Sequence, residues 1–117
     1  MDRIKLITGF EEKQAKQALD LLLRDRANEF REIADSLKIS PTTDDWEIII
    51  LKFCLDFEDC FKIWTNNIEP DHNQIHKCMT MMREISKDKK SMTEITHVEN
   101  LAYNISKEFQ EVYKRLR

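Results

Sequence analysis

The sequence predicts an all-α protein, an antiparallel up-down-up-down four-helix bundle in one domain over residues 1–117, with a short N-terminal arm. Three observations lead there. Turn-formers are scarce, with one Gly (Gly9) and two Pro (Pro41, Pro70) in 117 residues, whereas an all-β chain needs many tight turns. Apolar side chains recur in steps of three and four along four stretches, the spacing of one helix face. The stretches are joined by brief polar segments, and short connections imply antiparallel neighbours. Apolar residues are 41% of the chain, enough for one core, and charged residues are 35%, enough for long solvated faces.

Residues 1–8 form the arm, of which the first seven could also make a short strand. The first helix spans about 9–38. Thr8 and Glu11 are spaced as a capping box, and Ala15, Leu19, Leu22, Phe30, Ile33 and Leu37 keep to one face. Ser40, Pro41, Thr42 and Thr43 interrupt the pattern. The second helix spans about 44–67, with Asp44, Asp45 and Glu47 in a first turn whose dipole favours acids. Its core stripe is Trp46, Ile49, Ile50, Phe53, Phe57, Cys60, Phe61 and Trp64. The third helix spans about 71–88 and is faced by Ile75, Cys78, Met79, Met82 and Ile85, with Met81 as a surplus, adaptable apolar group. The connection at 87–90 is rich in lysine. Ser91 and Glu94 form a second capping pattern, opening a helix over about 92–116 with Ile95, Val98, Ala102, Ile105, Phe109, Val112 and Leu116 inward.

Three cysteines, Cys54, Cys60 and Cys78, lack a paired spacing. Free buried thiols and a reducing, cytoplasmic compartment are therefore expected. No apolar run approaches the roughly 20 residues of a membrane helix, and no membrane role is expected. The alternation of charged and apolar groups at the N-terminus is unlike a signal peptide. Charge is unevenly spread. Residues 1–40 are balanced, residues 41–76 carry two basic against eight acidic side chains, and residues 77–117 carry nine basic against six acidic.

The segment from Phe30 to Thr43 resembles the first helix and turn of a bacterial helix-turn-helix. A recognition helix after it would present Asp44, Asp45 and Glu47 to DNA, with Lys52 as the nearby cation, and phosphates demand the opposite sign. The segment from Leu23 to Phe30 resembles the centre of a BH3 helix, but Arg26 and Asn28 stand at positions that call for an apolar anchor and an aspartate. His72 and His76 are four apart, yet the glutamate of a zincin does not follow His72. Glu69 with His72 and Glu94 with His97 repeat the Glu-x-x-His spacing of di-iron bundles, but at helix starts that lie far apart. No catalytic residue, metal ligand, cofactor or small-molecule substrate is assigned.

The remaining feature is a second apolar stripe on the second helix. Ile48, Leu51 and Leu55 point away from Phe53, Phe57 and Trp64, and Glu47, Glu58 and Asp59 rim them. An apolar centre with a charged rim is the anatomy of a protein interface. The expected function is a non-enzymatic protein-binding bundle, such as an inhibitor, an immunity-type protein or an assembly subunit. Its partner would be another protein or a second copy. Cover by Ile4, Leu6 and Ile7 of the arm is the internal alternative. A nucleic-acid-binding regulator using Lys107, Lys114, Arg115 and Arg117, or the segment near 30–50, is the alternative function.

Overall fold

The periodic stretches are helices. A computed structural model describes residues 8–87 and 91–116. In it α1 is Glu12–Ser36, α2 is Trp46–Thr65, α3 is His72–Ser86 and α4 is Met92–Arg115. They form an all-α four-helix bundle, with no strand among the described residues. The arm through residue 7, its cover by Ile4, Leu6 and Ile7, residues 88–90 of the last connection, and Arg117 lie outside the described residues.

Local chemistry sets the helix ends. The α1 start falls three residues beyond the expected one: the Thr8 hydroxyl accepts from Phe10 N–H, and Glu11 N–H donates to the Tyr113 hydroxyl at 3.2 Å, tying α1 to the end of α4. At the other end, Lys38 takes a left-handed φ of 61°. Ile39 N–H then reaches back to Ala34 C=O at 2.8 Å, and Lys38 N–H to Asp35 C=O. This is the Schellman stop, which usually holds Gly. Asn67, at φ 54°, repeats it after α2, with Ile68 N–H on Ile63 C=O. Asp44 and Asp45 precede α2, leaving Glu47 as the acid of its first turn. Asp71 and Gln74 close a full capping box on α3, each side chain accepting the other's backbone N–H. Ser91 accepts Glu94 N–H at the start of α4.

The packing is centred on α4, which lies chiefly against α1 and α2 and also meets α3; α2 in turn touches α1 and α3. Fully buried Leu22, Phe30, Ile33, Ile50, Leu51, Phe57, Ile105 and Phe109 make the core. α1 departs from helical geometry at Arg26 (φ −122°, ψ 22°), and the Arg26 guanidinium pairs with Glu108 of α4 at 2.9 Å. Contacts between α2 and α4 run in opposite directions along the two helices. Glu58 meets Ser106 and Gln110, while Phe61 meets Tyr103 with ring centres 4.8 Å apart.

Four expectations change. Leu51 and Leu55 are 0% and 8% exposed, so the second stripe of α2 is core and not surface. The reason is position: α2 is wrapped by three helices, so its apolar arc is wide. Conversely, Phe61 and Trp64 are exposed at the far end of the stripe expected to be buried. On α3 the inward row is Cys78, Met81 and Ile85, while Ile75 and Met79 face out. Finally, Cys60 and Cys78 form a disulfide between α2 and α3, with Cα atoms 5.7 Å apart. Of the three cysteines only Cys54 is free; it is buried, and burial pushes its thiol well above the usual range.

Candidate functional site

Among the described residues seven large apolar side chains are exposed, and six of these gather on one side. Phe61, Trp64, Ile68, Ile75, Met79 and Met92 line or adjoin connected clefts where the end of α2, the length of α3 and the start of α4 meet. Leu21 is the seventh and lies elsewhere. The largest of these clefts holds about 390 Å³ and has Trp64, Ile75, Met79, Met82 and Ile95 in its walls. A neighbouring cleft of about 300 Å³ shares Trp64 and adds Phe57, Phe61 and Tyr103. A third, of about 280 Å³, shares Ile63, Gln74 and Cys78 with the first and adds Ile68.

The sequence builds this surface by leaving α3 short. Its 15 residues bury only Cys78, Met81 and Ile85, so the row at 75 and 79 stays outside. The disulfide fixes α3 against α2, and the cross-linked Cys60 and Cys78 lie at the base of the clefts. Asp56 adds a second tie, accepting Lys52 Nζ at 3.0 Å and Lys77 Nζ of α3 at 2.8 Å. The lining of the main cleft includes one charge, Arg83, which makes no ion pair among the described residues. In the neighbouring cleft, partial burial raises the Glu99 carboxyl above its ordinary range. Such a surface can bind an apolar object, but it gathers no nucleophile, base and orienting group together.

The six residues expected to bind a partner do not form one patch. Leu51 and Leu55 are inside the core, and Ile48 is half-buried and packed against it. Glu58 is 4% exposed: it accepts from the Ser106 hydroxyl at 2.7 Å and from the Gln110 amide, with Lys62 Nζ 3.6 Å away. It is a satisfied buried carboxylate between α2 and α4, not a rim. Glu47 is half-buried. Asp59 is exposed and borders the third cleft, so it alone of the six lies beside the apolar surface.

Other candidate motifs stay apart. Residues 37–45 separate α1 from α2, longer than the three or four residues of a helix-turn-helix turn. Behind them Ile50 and Leu51 of α2 are buried in the core. Lys107 stacks over the Tyr103 ring at 5.7 Å. With Arg26 and Arg115 it lines a cleft that also holds Glu29, Glu108 and Glu111, so three carboxylates offset three cations there. His72 and His76 are exposed on α3, and His97 pairs with Glu32 across α4 and α1 at 3.0 Å. No group of three or more His, Cys, Asp or Glu with metal-binding geometry occurs among the described residues. No described helix is long and apolar enough to cross a membrane. Comparison with protein-family models, with curated proteins and with solved structures finds no match to this chain.

Proposed function

We propose that this chain is a non-enzymatic protein-binding bundle whose docking surface is the apolar groove between α2, α3 and α4. The observation that carries this reading is that, among the described residues, six of the seven exposed large apolar side chains gather on that one side. Contiguous apolar surface of this kind is a mark of an interaction site. Methionine suits it, because a flexible thioether repacks against partners of different shape. An inhibitor, an immunity-type protein or an assembly subunit could each act through such a surface.

The compartment belongs to the same proposal. Free thiols would favour the cytoplasm, whereas the Cys60–Cys78 cross-link favours an oxidising compartment. Thiol labelling of denatured protein from its native source should find one reactive cysteine; three would return the chain to a reducing compartment.

The docking surface is tested by a photoreactive residue at position 79, with position 21 as an exposed apolar control outside the groove. In extract from the native source, an adduct should form from 79 and not from 21. No adduct at 79, or equal adducts at both, would contradict the reading.

A further inference from the structure

We propose that the groove takes one amphipathic helix of about three turns, which presents a carboxylate to Arg83. This rests on the protein-binding reading above and names the partner's chemistry.

Length is the first support. The wall supplied by α3 runs from Gln74 to Ser86, which at 1.5 Å per residue is about 18 Å, or three turns and a little more. Along it, Ile75, Met79, Met82 and Ser86 follow the three-and-four rhythm that a facing helix would meet with its own apolar row. The rest of the lining is shorter, with Ile63 and the one aromatic ring, Trp64, from α2 and with Met92 and Ile95 from α4. Such a trough matches a helix better than an extended strand, because no unpaired sheet edge is present among the described residues to receive one.

Charge is the second support. The main cleft has a guanidinium and no carboxylate in its lining, and Arg83 sits three residues from the end of that wall, without an ion pair among the described residues. An apolar helix with an acid beside its terminal anchor satisfies that cation, whereas a basic helix meets repulsion. Preorganisation is the third. The disulfide and the Asp56–Lys77 pair hold α3 against α2 before any partner arrives, which lowers the ordering cost of binding.

The test uses three labelled 14-residue helical peptides. They share one leucine row and differ only in Glu, Gln or Lys at the polar positions beside both terminal leucines. Fluorescence anisotropy should rank them Glu, Gln, Lys, with about fivefold between first and last. R83E should invert that order. M79E, at an exposed position, should weaken all three by about tenfold while leaving the circular dichroism unchanged. Equal binding of the three, or a ranking indifferent to Arg83, overturns the proposal. A dimer in sedimentation that M79E dissolves makes a second copy the occupant and overturns it too. So does binding of laurate in the absence of any peptide binding. If no peptide binds but the adduct at position 79 persists, the helix falls and the protein-binding reading stands. If both fail, both fall.

Discussion

Phe57 and Trp64 lie seven residues apart on α2, on the same face, with their rings 6.5 Å from centre to centre. Phe57 is 1% exposed and Trp64 is 46% exposed. The periodic pattern treats the two alike, since a step of seven returns to the same side of a helix. What separates them is the surroundings. Phe57 lies within the buried core cluster. Trp64 lies beyond the Cys60–Cys78 cross-link, in the walls of clefts shared with α4 and with α3, a short helix that buries only three side chains. An apolar side chain on the right face is thus buried only where another helix is long enough to cover it, and here the uncovered end becomes a surface with a shape.

The largest expected effect falls in the middle of α2. Leu51→Glu places a carboxylate at a position with no solvent access and should cost on the order of 5 kcal/mol, enough to abolish cooperative thermal unfolding. A Leu51→Glu protein that melts like the parent would restore the second stripe as an exposed interface.

Next comes the tie that holds the groove together. Replacing Cys60 and Cys78 by serine opens a cross-link across a separation of 18 residues and should cost about 3 kcal/mol in urea unfolding. Because α3 buries little else, its amides should lose hydrogen-exchange protection before those of α1 and α4. Equal loss of protection across all four helices would mean that α3 is held as firmly by packing as the others.

The smallest effect lies away from both regions. Lys38→Gly relieves a left-handed residue at the end of α1 and should add about 0.5–1 kcal/mol of stability, read as a small rise in the urea midpoint. A loss would show that the lysine side chain contributes more than its backbone conformation costs.

Much of the fold was legible in the sequence. Four helices follow from four periodic stretches and scarce turn residues, and the observed ends fall within about three residues of those expected. The site was less so, because a stripe gives a direction and not a neighbour. On α3, the rows 75–79 and 78–81–85 are both apolar, and the second, which carries the cross-linked Cys78, is the buried one. Cys60 and Cys78 carry no diagnostic spacing, since their partnership arises across two helices. Glu58 reads as a surface acid until Ser106 and Gln110, 48 and 52 residues later, supply its hydrogen bonds. One signal did exist. Ile68 in a connection and Met92 in a first turn belong to no core stripe, and both lie exposed on the apolar surface, Met92 in the wall of the main cleft and Ile68 in that of the third.

The most direct measurement compares urea unfolding of Phe57→Ala and Trp64→Ala, two large aromatic truncations on one helix face. Phe57→Ala should cost about 3–5 kcal/mol as a core cavity. Trp64→Ala should cost about 1–2 kcal/mol, in keeping with its partial burial, while reducing binding of the acidic helical peptide. Losses of equal size would place Trp64 in the core and leave the groove without its aromatic wall.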